Sequence, residues 1–270
     1  MPAKGASAHF LIDPVAKSLP LGNERLIIVP TGYLNYLPFE ALKLPDGRSM
    51  IDAFSISYLP SASALQFLGG RKPSLDSMFL GAIGNVSVNG AAALPGTLTE
   101  VGAIARLEPG ATLVTGRDFT HDTARDALTR YDVVHFATHG DVDSDAPLFS
   151  AVLTSPVANE PPRLFLYEIQ ALTLRARLVV LSACKTGKGR LLGGDEVAGF
   201  TRTLLLAGAN TVVASLWDVS DESTPELMEG FYRLLRAGRS AAVAMRLSIL
   251  DVRKKFPNPT YLAAFVMTGM

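Results

Sequence analysis

Short apolar runs separated by polar, glycine-containing segments recur along the chain and define its predicted elements. The runs are rich in Val, Ile and Leu and lie near 26–29, 78–83, 133–137, 178–183 and 211–216. Uninterrupted apolar runs of this length are typical of strands buried on both faces of a parallel sheet. Helical periodicity or helix-capping residues predict intervening and following helices near 97–107, 122–130, 197–206, 226–235 and 240–252. The alternation predicts an α/β fold.

Two of these runs end in residues that carry chemistry. His139 follows the run 133–137, and Cys184 follows the run 178–182. Ligands of open parallel sheets collect outside the carboxyl ends of the strands. If the two strands are neighbours, the imidazole and the thiol meet at one crevice.

A cysteine and a histidine in this arrangement suit acyl transfer. Only the thiolate attacks a carbonyl, and an unperturbed thiol with a pKa of about 8.5 supplies little of it at neutral pH. An imidazole titrating near neutrality takes the thiol proton and returns it to the leaving amine. Gly140 has no β-carbon, so its N–H has the access to bind an oxyanion together with the N–H of Cys184.

Other interpretations of the same residues remain open. A lone cysteine is often a small buried hydrophobe, and a strand-end histidine is often structural; we expect His135, inside the strand, to be structural. The acidic stretch 141–145 lacks the glutamate of a calcium loop, so we expect solvated carboxylates. The glycine-rich segment 185–194 lacks the Gly-Lys-Ser/Thr ending of a phosphate loop, which makes nucleotide binding the weaker rival.

Composition limits the classes of partner and compartment. The chain has 270 residues, 25 basic and 25 acidic side chains and one cysteine. The balanced charge gives no global reason to expect nucleic acid or an anionic membrane as a partner. One cysteine forms no intrachain disulfide, and no apolar stretch reaches the roughly 18 to 20 residues of a membrane span. We expect a cytoplasmic protein without cofactor or metal.

Several segments occur in one collinear order along the chain. Those near the predicted site are Phe136-Ala137-Thr138-His139-Gly140, Val180-Leu181-Ser182-Ala183-Cys184-Lys185-Thr186-Gly187 and Ser215-Leu216-Trp217-Asp218-Val219. Supporting segments are Tyr36-Leu37-Pro38-Phe39-Glu40-Ala41-Leu42, Tyr58-Leu59-Pro60-Ser61 and Tyr261-Leu262-Ala263-Ala264-Phe265. In this order they resemble the CHAT-domain family of caspase-like, separase-related cysteine peptidases. The resemblance spans residues 20–268 and predicts an N-terminal extension at 1–19 and a catalytic domain at 20–270. Leu262 stands where the family commonly has Trp.

The resemblance implies a three-layer sandwich with a mainly parallel sheet flanked by helices. It also implies that His139 is the general base and acid, that Cys184 is the nucleophile, and that the N–H groups of Gly140 and Cys184 form the oxyanion hole. In related separases an acidic residue after the third strand receives an arginine side chain, and Asp218 or Asp221 occupies that region here. Alternatively, Asp218 caps the following turn and Asp221 the helix that starts near Glu222.

These observations predict a cysteine endopeptidase that cleaves protein substrates, with a preference for Arg or Lys. The alternative is a catalytically silent caspase-like scaffold that binds a protein partner. A regulatory protein or a repeat domain is a further expected partner, because many relatives carry upstream repeats. The segment 185–194 combines glycine with basic residues and is a candidate for regulatory autocleavage.

Overall fold

The central feature of the computed structural model is an eight-stranded sheet. The structure describes residues 10–20, 25–69, 72–143, 145–182, 194–216, 221–258 and 264–270. The strand order of the sheet is β1-β2-β11-β10-β9-β5-β3-β4. The strands are β1 (Arg25–Ile28), β2 (Ser55–Tyr58), β3 (Met78–Ala82), β4 (Thr112–Thr115), β5 (Val133–Ala137), β9 (Leu178–Ser182), β10 (Thr211–Ser215) and β11 (Phe265–Gly269).

Pairing within this sheet is mainly parallel, as predicted. The neighbours β10–β9, β9–β5, β5–β3 and β3–β4 all pair in parallel, and so do β1 and β2. The last strand, β11, runs antiparallel to β10. All residues of β3, β5, β9 and β10 are buried, which explains why these strands are continuous apolar runs rather than alternating ones.

Helices cover both faces of the sheet and complete three layers. They are α1 (Met50–Ala53), α2 (Gly96–Leu107), α3 (His121–Arg130), α4 (Leu166–Gln170), α5 (Gly194–Ala207), α6 (Ser223–Arg236) and α7 (Ala241–Lys255). Val134 and Phe136 of β5 share a hydrophobic cluster with residues of α3, α4 and α5. Val133 and Ala137 point the other way and share a second cluster with residues of α2, α6 and α7. The period of two along β5 therefore separates the core into two halves.

Polar residues cap two of the helices, and the cap of α3 is predicted from the sequence. Thr120 is the N-cap of α3, and its side chain accepts a hydrogen bond from the N–H of Thr123. Ser240 caps α7 and accepts from the N–H of Val243. Such caps satisfy N–H groups that have no partner within the helix. Among the described helices, none combines the length and the apolar character needed to cross a bilayer.

A small antiparallel sheet follows His139 and was only partly foreseen. It consists of β6 (Gly140–Asp141), β7 (Ala151–Leu153) and β8 (Arg163–Phe165), in that order. The sequence predicts a strand near 149–153, but β6 and β8 are two and three residues long. The three residues of β7 are all apolar, whereas β6 and β8 each contain a charged residue and so form no apolar run that marks a strand.

Candidate active site

The two strands that precede His139 and Cys184 are direct neighbours. Strands β5 and β9 pair in parallel from Val133 opposite Leu178 to Ala137 opposite Ser182. His139 is two residues beyond Ala137, and Cys184 is two residues beyond Ser182 in the sequence. Cys184 itself lies outside the described residues. The strand ends that deliver the two residues therefore lie side by side at one edge of the sheet.

The backbone around His139 is held from both sides. The N–H of Thr138 donates to the carbonyl of Ser182 at 3.1 Å, so contact with β9 continues past the end of β5. The hydroxyl of Thr138 donates to the carbonyl of Leu153, and the N–H of Leu153 donates to the carbonyl of His139. Gly140 is buried and lies opposite Val152 in the small sheet. These bonds fix the direction in which the imidazole leaves the backbone.

The imidazole of His139 is buried, and one of its nitrogens has a clear partner. The residue is 1% exposed, and Nε2 lies 2.7 Å from the carbonyl oxygen of Ala92. A carbonyl only accepts hydrogen bonds, so Nε2 carries the proton and donates it to this contact. The other nitrogen, Nδ1, is buried and has no hydrogen-bond partner within the described part of the chain. In the neutral ring Nδ1 is then the proton acceptor.

The carbonyl of Ala92 comes from the loop between β3 and α2, which is tied down at both ends. The N–H of Ile83 donates to the carbonyl of Ala137, and the N–H of Leu94 donates to the carbonyl of Gly84. Gly84 has a φ of +59°, in the left-handed region that favours glycine, and a β-carbon there would lie 2.8 Å from Leu98. Sequence reasoning missed the role of Ala92, because a backbone carbonyl leaves no signature in the residue type.

The structure describes only one of the two candidate substrate-binding carboxylates. Asp218 lies outside the described residues. Asp221 is exposed and packs against Gly96, the first residue of α2; a β-carbon built on Gly96 would lie 2.3 Å from Oδ1 of Asp221. The N-cap of α6 is Glu222, with no side-chain capping bond. The alternative in which Asp221 caps that helix is therefore not the arrangement observed.

His135 is structural, as its place inside a strand predicts. Its Nδ1 lies 3.1 Å from the hydroxyl of Tyr232 in α6, and its Nε2 lies 3.1 Å from a carboxylate oxygen of Glu100 in α2. All three groups are buried. Burial, and then the nearby Glu100, raise the pKa of Tyr232 well above its ordinary value. The cluster joins β5 to two helices of one layer.

An open groove lies along the same edge of the sheet, between the ends of β2 and β10. Leu59 and Leu216, each directly after its strand, line it together with Tyr58. The hydroxyl of Tyr58 donates to the carboxyl of Glu40 at 2.7 Å. Burial raises the pKa of Glu40 to about 7, and the hydrogen bond from Tyr58 lowers it in part. A buried titratable carboxyl, which sequence reasoning did not single out, thus lies behind the groove wall.

Comparison with known sequences identifies the family. The CHAT domain model matches residues 7–270, nearly the whole chain. Tetratricopeptide repeat protein 28 of Homo sapiens is 26% identical over 324 residues, an alignment that covers 99% of this chain. The protein of that name from Mus musculus matches to the same extent. The chain spans only 13% of the length of each of these relatives.

Solved structures with a similar fold include separase. Two structures of the Saccharomyces cerevisiae separase–securin complex cover 91% of this chain, with TM-scores of 0.61 and 0.59 and identities of 17% and 16%. The chain covers 15% and 16% of those separase chains. At this level of identity the comparison shows the fold, which is caspase-like, as the resemblance implies. On the match across residues 7–270, the chain belongs to the CHAT domain family.

Proposed function

We propose that the chain is a cysteine endopeptidase in which His139 activates Cys184. The observation that carries the proposal is the imidazole of His139: its proton is on Nε2, and its buried Nδ1 has no partner among the described residues. The pairing of β5 with β9 supports Cys184 as the missing partner, because chain connectivity keeps it within two residues of Ser182. A buried polar atom without a partner is rare enough to require an explanation.

The chemistry follows from these positions. Nδ1 takes the proton of the thiol, and the thiolate attacks the scissile carbonyl to form a tetrahedral intermediate. The N–H groups of Gly140 and Cys184 bind the oxyanion, as the resemblance implies. When the C–N bond breaks, the imidazolium gives its proton to the leaving amine, and water then hydrolyses the thioester.

The carbonyl of Ala92 orients the base in this scheme. It holds the proton on Nε2 and stabilises the imidazolium, the work done in other hydrolases by an aspartate that receives the second ring N–H. A neutral carbonyl stabilises the imidazolium less than a carboxylate does, because its bond to the cation is assisted by one charge only. The contact between Nε2 of His139 and this carbonyl is nevertheless sufficient to determine which ring nitrogen carries the proton.

Asp221 and Asp218 are our proposed binding residues for a basic side chain of the substrate. Asp221 is exposed, and it belongs to the segment that follows β10, beside the strand that precedes Cys184. A carboxylate forms two parallel charge-assisted hydrogen bonds with a guanidinium. We therefore expect cleavage after Arg or Lys of protein substrates.

A second candidate is a silent scaffold that binds a protein partner. The observation in its favour is that the matched relatives are named for tetratricopeptide repeats, a repeat architecture, rather than for an enzymatic activity. The reactivity of Cys184 toward electrophiles distinguishes the two candidate functions, because a scaffold does not need an activated thiol.

The test is cleavage of a proteome-derived peptide library by the wild-type chain and by C184A and H139A. We expect products with a basic residue before the new carboxyl terminus, and a loss of at least 1,000-fold in both variants. His121→Gln is the matched control, because His121 lies at the start of α3 and takes no part in the scheme; its rate should equal the wild-type rate. Cleavage that persists in C184A, or wild type that cleaves nothing, contradicts the proposal.

A further inference from the structure

Three aromatic side chains contact one another on the surface of the small sheet. Phe165 and Tyr167 are stacked, with ring centroids 5.3 Å apart and an angle of 18° between the planes. Phe149 packs across both, at 6.4 Å from Phe165 and 5.6 Å from Tyr167. Phe149 is 59% exposed, and Tyr167 and Leu148 are each 45% exposed. We call Leu148, Phe149, Phe165 and Tyr167 the aromatic patch.

The patch is built on a fixed backbone. Phe149 ends the 3-10 helix Pro147–Phe149, directly before β7, and Phe165 ends β8. Between Phe165 and Tyr167, the side chain of Leu166 is buried, and its N–H donates to the carbonyl of Ser150 at 2.8 Å. The rings are therefore already in place before any partner arrives, which lowers the entropy cost of binding. Solvent-exposed aromatic groups on a rigid surface are typical centres of protein interfaces.

One border of the patch is acidic. Glu168 accepts from the N–H of Phe165 through one carboxylate oxygen, and its other oxygen lies 3.0 Å from Nε2 of His121. Nδ1 of His121 lies 3.0 Å from Asp122, and a carboxylate oxygen of Glu160 lies within 4.8 Å of that pair. Both imidazole nitrogens are thus already in contact with carboxylates, which leaves neither of them open to a metal ion.

The loop that precedes Phe149 is acidic as well. Asp143 and Asp145 are exposed and belong to the loop that leads into Pro147–Phe149. Asp143 accepts from the N–H groups of Asp145 and Ala146, which holds the loop in shape. Arg163 of β8 is paired with Asp141 at 2.9 Å. Both acidic segments present exposed carboxylates, Asp122 in one and Asp143 and Asp145 in the other.

The apolar centre and the acidic rim of the patch indicate which kind of partner binds there. A second copy of the chain, in a two-fold contact, would bring the same patch from each side and set carboxylates against carboxylates. An anionic membrane is repelled for the same reason. A polypeptide with apolar side chains between Lys or Arg residues satisfies both the rings and the rim.

We propose that the aromatic patch docks a basic, amphipathic segment of a partner protein. The docking does not require peptidase activity. The patch adjoins the small sheet, in which the N–H of Leu153 donates to the carbonyl of His139.

The test is selection of a phage-displayed library of random 16-residue peptides on the wild-type chain, followed by Kd measurement of the winners by fluorescence anisotropy. We expect winners that combine Leu, Ile or aromatic residues with Lys or Arg. The double variant Phe149→Ser with Tyr167→Ser should weaken the binding of these peptides at least 20-fold. The double variant Asp143→Lys with Asp145→Lys should weaken it at least fivefold. Tyr33→Ser with Phe67→Ser is the matched control, since both rings are exposed outside the patch, and should change the Kd less than twofold.

Four outcomes overturn the proposal. Three concern the library: it yields no binder, its winners are acidic, or the Kd of the winners is the same for the patch variant and the wild type. The fourth is self-association that the patch variant abolishes, which would assign the patch to a second copy instead. Circular dichroism of each variant reports whether a loss of binding is a loss of folding. Because the readout is binding, its failure leaves the peptidase proposal untouched.

Discussion

At the scale of single residues, burial decides which groups are poised for proton transfer. His139 is buried with its Nε2 proton committed to the carbonyl of Ala92, so its basic nitrogen is defined by geometry. Glu40 is buried beside Tyr58, and burial raises its pKa to about 7. The pKa of Glu40 can be measured without any substrate.

Glu40→Gln tests the raised pKa. A carboxyl whose pKa rises from 4.5 to about 7 on folding binds more protons in the folded chain, so stability falls as pH increases through this window. The full effect is about 3 kcal/mol in the free energy of unfolding. Glutamine keeps an acceptor for the Tyr58 hydroxyl and does not titrate. Urea unfolding at pH 5 and at pH 7.5 measures this free energy. Between the two pH values the free energy of unfolding should therefore fall less for E40Q than for the wild-type chain.

The matched control is Asp46→Asn. Asp46 is exposed, and its pKa is lowered by hydrogen bonds from Arg48, so it stays ionised throughout this pH window. The free energy of unfolding of D46N should depend on pH as it does in the wild-type chain. If this free energy falls equally for E40Q and wild type between pH 5 and pH 7.5, the buried carboxyl of Glu40 is not the cause of the pH dependence.

At the scale of elements, the site depends on how loops leave neighbouring strands. The loop after β3 supplies Ala92 and continues into α2, whose first residue, Gly96, contacts Asp221 from the segment after β10. In the strand order these two loops flank the ends of β9 and β5. They therefore meet above the strands that precede Cys184 and His139.

Gly96→Ala should shift Asp221. The new methyl group would lie 2.3 Å from its carboxylate oxygen, so the side chain must move. If Asp221 binds a basic side chain, kcat/KM for cleavage after Arg should fall at least tenfold, with less than a threefold change after Leu. Gly102→Ala in the same helix is the control, because its nearest neighbour, Arg106, is 3.9 Å away. Equal losses for both peptides in G96A would exclude Asp221 as a specificity residue.

Sequence reasoning succeeded where side-chain pattern encodes the element. The buried runs gave β3, β5, β9 and β10, a capping residue gave the start of α3, and helical periodicity gave α7. Sequence reasoning failed for β6 and β8, whose two and three residues include a charged one and form no apolar run, and for the carbonyl of Ala92, which any residue would supply. Cys184 and Asp218 lie outside the described residues, so their roles stay predictions.

At the scale of the whole molecule, His139 and the groove lie along one edge of the central sheet. His139 follows the end of β5 at this edge, Cys184 follows the neighbouring strand β9 in the sequence, and the groove between β2 and β10 lies farther along the edge. The aromatic patch occupies a separate surface on the small sheet that follows His139.

The most direct measurement is the rate at which iodoacetamide alkylates the chain's single cysteine as a function of pH, in wild type and in H139A. If Nδ1 of His139 takes the thiol proton, the wild-type rate should change less than threefold between pH 8 and pH 6. In H139A it should fall roughly 80-fold over the same range, as for an unperturbed thiol with a pKa of about 8.5. The same steep profile in both proteins would contradict the pairing of His139 with Cys184.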